Sequence, residues 1–117
     1  MKFGLLYDPT VSVACVDGRP EMIFGCTGDD FTGRPWMLAT PLPFTPKWSR
    51  VFLRASADVV ENDWQTRFPL LTNFVDARNV SHIRWLRWLG FVFIRRDPFH
   101  GVAGIPFLEF VRINTNV

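Results

Sequence analysis

A long amphipathic helix is predicted between two groups of short strands, and this order of elements limits the possible folds. From Trp48 onward, apolar residues recur at Val51, Phe52, Ala55 and Val59, which is the spacing of one face of an amphipathic helix. Thr45 can cap this helix and Pro46 suits its first position, so a helix over 45–67 is predicted, ending before Pro69. A helix that connects two strands of one sheet favours a parallel, right-handed crossover.

Short apolar runs bounded by turn residues lie on both sides of this helix. "VSVACVDG" and "EMIFGCTG" predict a hairpin about "DGRP", and "WMLATP" a third strand, so residues 11–41 are a β-meander. Residues 1–10 are ambiguous between an irregular segment and an edge strand, and "FLEFVRI" over 107–113 is the final strand. Together with residues 70–94, these strands and the long helix predict that residues 1–117 form one α+β domain with a mixed sheet and two main helices.

Residues 70–94 form a compact strand–helix–strand unit. "LLTNFVDA" predicts a strand, Asn79 or Ser81 caps a helix that buries Ile83, Leu86 and Leu89, and Gly90 suits its left-handed C-terminal end. "FVFI" follows as a strand, and "RRDPFHGVAGIP" as a polar loop over 95–106.

Composition and charge narrow the class of protein. The chain is 48% hydrophobic and 15% aromatic, as expected of a folded domain, and its formal charge of +2 argues against nucleic acid as the main partner. All but two of the 13 basic residues are arginine (the exceptions are Lys2 and Lys47), from either a coding bias or a protein-binding surface. No run is long and apolar enough for a membrane span, and no signal peptide is evident.

Four groups of side chains are candidates for a chemical or binding site. Ser81, His82 and Asp76 could form a nucleophile cluster, although residues at a helix start ordinarily act as caps. Cys15 and Cys26, even with His82 and His100, lack the short spacing of zinc ligands, which argues against a metal site, and Asp29, Asp30 and Glu21 are either turn residues or a general base. The strongest surface pattern interleaves arginine with tryptophan and predicts a partner-binding surface at Arg84, Trp85, Arg87, Trp88, Arg95 and Arg96.

The unit around "NVSHIRWLRWLGF" resembles the C-terminal half of the GCN5-related N-acetyltransferases, the GNAT family, in which an Asn-capped helix ends in Gly-Phe before a strand. The resemblance covers about residues 36–94. It implies a GNAT-like sheet without that fold's N-terminal helices, for which residues 1–10 leave no room. It also implies acetyl-CoA as the cofactor, held by the backbone of Leu38 and Thr40 and by Asn79.

The chain departs from the enzymes of that family in two places. "TPLPFTPKWSR" stands where they carry a glycine-rich pyrophosphate loop, and its three prolines remove N–H donors, although Lys47 and Arg50 could still attract an anion. Leu86 aligns with the tyrosine that protonates the leaving thiolate. These departures favour a protein with no catalytic residues and no cofactor.

With "PFLEF" downstream, the helix unit is also similar to a family of short-tailed bacteriophage proteins described as internal virion or acyltransferase-like. That similarity implies a non-enzymatic role in virion assembly, or as a virion component. The partners would be other phage proteins or copies of the same chain, in the host cytoplasm during assembly or in the virion. The alternative function is an acyl-CoA-dependent N-acyltransferase.

Overall fold

The computed structural model describes residues 1–97 and 104–114. Seven strands form one mixed sheet in the order β1-β2-β3-β4-β5-β7-β6. The strands are β1 (Phe3–Tyr7), β2 (Val11–Val16), β3 (Arg19–Gly28), β4 (Thr32–Ala39), β5 (Leu70–Asp76), β6 (Val92–Asp97) and β7 (Phe107–Ile113). The helices are α1 (Ser49–Val59), which continues through a π-helical turn (Val60–Trp64) into α2 (Gln65–Arg67), and α3 (Val80–Trp88). The α+β class with a mixed sheet and two main helices is as predicted.

The first four strands are antiparallel, and the crossover through α1 makes β5 parallel to β4, as its helical period predicts. The hairpin between β2 and β3 is tighter than "DGRP" suggests. Its turn consists of Asp17 and Gly18, whose φ angles of 52° and 75° lie in the left-handed region, and such a two-residue turn matches the right-handed twist of the strands it joins. β4 begins at Thr32, four residues before the predicted strand "WMLATP" begins at Trp36.

The start of α1 differs from its prediction. Trp48 is the N-cap residue and no side chain caps the helix, whereas the Thr45 hydroxyl donates to the carbonyl of Leu42 at 2.7 Å. Pro46 therefore lies in a turn before the helix rather than at its first position. A 3-10 turn over Leu42–Phe44 connects β4 to this segment.

Both helices pack on the same face of the sheet. The indole Nε1 of Trp85 in α3 donates to Ser56 Oγ in α1 at 3.1 Å, and the Phe24 ring of β3 makes edge contacts with Trp64 and Trp85. The opposite face carries apolar side chains that are open to solvent, including Leu6 and Leu38, each 69% exposed. No helix in the described part of the chain is long and apolar enough to cross a membrane.

Candidate functional site: a cleft between two parallel strands

The sheet opens into a cleft at its only parallel pair among the described strands. β4 and β5 are in register at Thr32 with Leu70 and at Gly33 with Leu71, and beyond these two positions they separate. Pro35 gives a physical reason, since it has no N–H to donate to a neighbouring strand.

The backbone of β4 faces β3 and β5 alternately. Thr40 N–H donates to the Glu21 carbonyl of β3 at 2.9 Å, so even-numbered residues of β4 bond to β3. The Pro35 carbonyl accepts from Asn73 Nδ2 of β5 at 3.0 Å, so odd-numbered residues face β5. The N–H and C=O groups of Met37 and Ala39 therefore open onto the cleft, where no described strand pairs with them.

This alternation corrects one detail of the cofactor site predicted from sequence. Leu38 and Thr40 do line the cleft, but their backbone groups turn toward β3 and are not free to bind a ligand. The backbone donors that the cleft offers belong to the neighbouring residues, Met37 and Ala39. Whether an acyl-CoA binds there stays a prediction.

A cavity of about 340 Å³ occupies the wide end of the cleft. The β4 end contributes Met37–Pro41 and Phe44, and the start of α3 contributes Asn79, Ser81 and His82. Asn79 caps α3 as predicted, because its Oδ1 accepts from His82 N–H at 3.1 Å. That bond leaves its amide nitrogen as the group able to donate to a ligand.

His82 is the titratable side chain among these lining residues. Its imidazole packs against the Trp85 ring at 5.5 Å between centroids, and burial lowers its pKa to about 4. The ring is therefore neutral at physiological pH. This position in the cleft wall was not predicted from the sequence, which suggests His82 for a nucleophile cluster with Ser81 and Asp76.

That nucleophile cluster does not form. The Asp76 carboxylate accepts from the backbone N–H of Arg78 at 2.9 Å and from its guanidinium at 2.8 Å, and these bonds lower the pKa of Asp76. Asp76 is thus committed to a turn.

The other chemical candidates also have structural explanations. Asp29 Oδ1 accepts from the N–H groups of Phe31 and Thr32, which is a turn, while the Glu21 carboxylate accepts from the Thr40 hydroxyl at 2.7 Å. Cys15 and Cys26 are both buried, and burial raises the pKa of Cys26 to about 12. No metal-binding cluster exists among the described residues, and His100 lies outside them.

The segment before α1 offers little backbone to a phosphate. The N–H groups of Trp48 and Ser49 both donate to the Thr45 carbonyl, at 3.1 and 2.9 Å. Lys47 and Arg50 are exposed beside this turn, but neither lines the cavity, and Arg50 lines a separate one with Phe3.

The predicted partner surface divides into buried and exposed members. Trp85 is only 3% exposed and bonds to Ser56, so its assignment to a partner surface is wrong, whereas Trp88 is 51% exposed. Arg95 is exposed but bonds to Glu109 at 3.1 Å, and the Arg87 guanidinium lies 5.5 Å from the Phe93 ring. Arg84 and Arg96 are exposed, and residues 98–103 of the predicted polar loop lie outside the described residues.

Several solved structures share this fold. A GNAT-family acetyltransferase from Streptococcus pneumoniae matches with a TM-score of 0.72 at 14% identity, covering 88% of this chain and 65% of that one. The ribosomal-protein-alanine N-acetyltransferase of Brucella melitensis matches with a TM-score of 0.69 at 17% identity, covering 89% and 68%. The fold is that of the GNAT acetyltransferases.

The aminoglycoside acetyltransferase AAC(6')-Ib, solved in complex with coenzyme A, matches this GNAT fold with a TM-score of 0.62 at 14% identity, covering 88% of this chain and 65% of that one. The chain thus spans about two thirds of these enzymes or slightly less. No protein-family model matches the chain, and no curated protein matches it in sequence. At these identities the likeness establishes the fold alone.

Proposed function

We propose that this protein binds an acyl-coenzyme A in the β4–β5 cleft and transfers the acyl group to an amine. The observation that carries the proposal is the unpaired inner edge of β4. Met37 and Ala39 present backbone N–H and C=O groups along a cavity that Asn79 and His82 close from the other side. A pantetheine arm is a chain of amides, which such an edge can bind as it would bind another strand.

Different residues would contact different parts of the bound acyl-coenzyme A. Lys47, exposed in the turn after the cavity-lining Phe44, would supply positive charge for the pyrophosphate, and the amide of Asn79 can donate to the arm. The amine nitrogen would attack the thioester carbonyl carbon and form an amide as the C–S bond breaks, and the proton lost from nitrogen would pass through solvent water to the departing thiolate of coenzyme A. The rate enhancement would come mainly from holding the two reactants close together.

The proton-transfer groups of the GNAT enzymes are not matched. Leu86, at the position that aligns with their tyrosine, is fully buried, and the Tyr7 hydroxyl donates to Asp63 at the edge of the sheet. We therefore expect slow turnover, since general acid–base catalysis typically contributes about 10²–10⁴-fold.

A thermal melt with and without acetyl-CoA tests this proposal. At about 100 times the dissociation constant, a ligand stabilises the native state by about 2.7 kcal/mol, which is a shift of several degrees for a domain of this size. Inorganic pyrophosphate at the same concentration controls for a general anion effect.

A matched pair of variants locates the binding. Ala39→Pro removes an N–H that faces the cleft without breaking a bond to β3, and it should abolish the shift, whereas Leu38→Ala should keep it. An unchanged melting temperature of the wild type in millimolar acetyl-CoA would refute the proposal. A positive result leads to an assay of thiol release with a panel of amines.

A second candidate function, a non-enzymatic protein-binding role in a phage virion, draws support from Trp88. A tryptophan that is 51% exposed beside Arg84 and Arg87 has the character of a binding hot spot. Trp88→Ala should abolish co-purification with particles or their precursors if this role holds, and unchanged co-purification would count against it.

A further inference from the structure

β1 lacks the charges, prolines and bulges that keep edge strands from pairing with another chain. It pairs with β2 on one side, and no described strand pairs with it on the other. Its sequence, "FGLLY", has no charged residue and no proline, and its register with β2 is continuous. The strand at the opposite edge, β6, carries Arg95, Arg96 and Asp97 and has a register shift after Phe93. The edge that is open to a further strand is therefore that of β1.

The backbone groups of every second residue of β1 point toward this open edge. Before its start, the Lys2 carbonyl accepts from Asp17 N–H at 2.8 Å. After its end, Asp8 N–H donates to the Val11 carbonyl at 3.0 Å. Even-numbered residues therefore bond to β2, because the direction of these bonds alternates along a strand. The N–H and C=O groups that point outward belong to Phe3, Leu5 and Tyr7.

This edge is complementary to a second copy of itself. About a two-fold axis through Leu5, two β1 strands run antiparallel, each Leu5 pairs with its counterpart, and Phe3 of one copy pairs with Tyr7 of the other. On the uncovered face of the sheet, Leu6 then lies beside Gly4 of the second copy. Leu6 is 69% exposed, and apart from the chain neighbours of Gly4 no residue comes within 4 Å of the position that a Cβ would take there. The space beside Gly4 can therefore receive the Leu6 side chain.

α1 runs beside β1 and in the same direction. The Phe52 ring packs against the Phe3 ring at 5.1 Å between centroids, near the start of both elements. The Tyr7 hydroxyl, at the end of β1, donates to Asp63 in the π-helical turn that follows α1. A two-fold axis through Leu5, perpendicular to the sheet, therefore places the α1 helices of two copies on the same face and antiparallel to each other.

The charges along α1 fit this antiparallel arrangement. Residues 49–57 contain two arginines and no acidic residue, whereas residues 58–64 contain three acidic residues and no basic one. Arg50 and Arg54 are exposed, line a cavity of about 520 Å³ with Phe3, and form no ion pair with any described residue. Antiparallel helices bring the basic end of each copy toward the acidic end of the other, which favours association.

We propose that two copies of this chain associate through antiparallel pairing of their β1 strands, which joins their sheets into one. The partner is a second copy because the backbone edge of β1 and the charges of α1 are each complementary to themselves. The β4–β5 cleft lies three strands away from β1, so each copy keeps its cleft open to a ligand.

Sedimentation velocity of the full chain between about 1 and 200 µM tests this pairing, and the wild type should form a dimer with a micromolar dissociation constant. Leu5→Pro removes an N–H that has no partner in the monomer, and an edge strand tolerates proline. Because both central hydrogen bonds of the pair are lost, this variant should raise the dissociation constant at least about tenfold. Circular dichroism checks that it is folded.

A charge exchange tests the contact between the helices without altering β1. Arg54→Glu should raise the dissociation constant of the dimer about tenfold, because it places acid beside acid across the axis. Combining it with Asp58→Arg exchanges the two charges, both of which are exposed, and should restore dimerisation. This rescue covers the case in which Leu5→Pro does not fold.

Two leucines on the uncovered face provide a matched control. Leu6 and Leu38 are each 69% exposed, but Leu6 lies on β1 and Leu38 on β4. Leu6→Lys should weaken the dimer, whereas Leu38→Lys should leave it unchanged.

Three outcomes would overturn the proposal. The first is a wild type that stays monomeric up to about 200 µM. The second is a folded Leu5→Pro variant, or an Arg54→Glu variant, that dimerises as the wild type does. The third is a dimer that Leu38→Lys disrupts and Leu6→Lys does not, which would assign the contact to the apolar face of the sheet.

Discussion

At the scale of single residues, burial decides which side chains of the Arg/Trp-rich helix are available for chemistry. Trp85 and His82 are three positions apart on α3 and their rings pack together, so both turn toward the interior. Trp88, another three positions along, lies at the end of the helix and is half exposed. His82 thereby becomes a half-buried, neutral group in the wall of the cleft.

His82 gives the protein a predicted pH dependence of stability. Its pKa is lowered to about 4 in the folded state from 6.5, so between these values the unfolded chain binds more protons. The free energy of unfolding should therefore fall as the pH drops from about 6.5 toward 4, by on the order of 2 kcal/mol after allowance for the partial exposure of the ring.

Urea denaturation at intervals between pH 7 and pH 4 measures this slope, and His82→Gln is the control, since glutamine does not titrate. The two proteins should differ most in slope between pH 6.5 and 4. Equal slopes would mean that His82 is already solvated in the native state.

At the scale of elements, one arginine connects the ends of two helices to the sheet. Arg112 of β7 donates from Nε to the Leu89 carbonyl at the end of α3, at 3.0 Å, and from Nη1 to Gln65 Oε1 in α2, at 2.8 Å. Gln65 is 5% exposed, and its Nε2 donates to the carbonyls of Phe68 and Pro69. This network fixes the direction in which the chain leaves α2 and enters β5, and so it helps to position one wall of the cleft.

Arg112→Met should destabilise the protein by about 1–3 kcal/mol, because it leaves the Gln65 oxygen buried without a donor while keeping the aliphatic bulk. Arg96→Met, at an exposed site on β6, should stay within about 0.5 kcal/mol of the wild type. Chemical denaturation of the two variants compares them directly, and equal stabilities would show that water replaces the arginine.

At the scale of the whole molecule, the cleft separates two halves of the sheet, whereas a single hydrophobic core packs against both halves. Only two residue pairs are in backbone register between β4 and β5, yet the buried cluster runs from Phe24 in β3 through Trp64 and Trp85 to Phe110 in β7. The helices therefore bridge the two halves of the sheet, and the cleft can stay open without the halves separating.

Unfolding should consequently be a single cooperative transition. Fluorescence of the five tryptophans and far-ultraviolet circular dichroism should give coincident urea curves, since both halves share one core. Separate midpoints for the two signals would show that the halves unfold independently and that the cleft is a boundary between folding units.

Features that depend on residues close together in the chain can be predicted from the amino-acid sequence. The helical period after Trp48, the cap at Asn79 and the left-handed Gly90, whose φ is 88°, all follow from residues within a few positions of each other. The α+β class and the parallel crossover follow from the order of these elements. Pro35 within a strand was the signal that could have located the cleft, because it interrupts pairing on one side of β4.

Contacts between distant segments determine which groups the cleft exposes. The choice between Trp85 and Trp88 depends on Ser56, which is 29 positions from Trp85, and the hydrogen bond from Asn73 to Pro35 spans 38 positions. The direction of the β4 backbone, which exchanges Leu38 and Thr40 for Met37 and Ala39, depends on the register with β3. Periodicity and capping describe local geometry, whereas these contacts arise only when distant segments pack against one another.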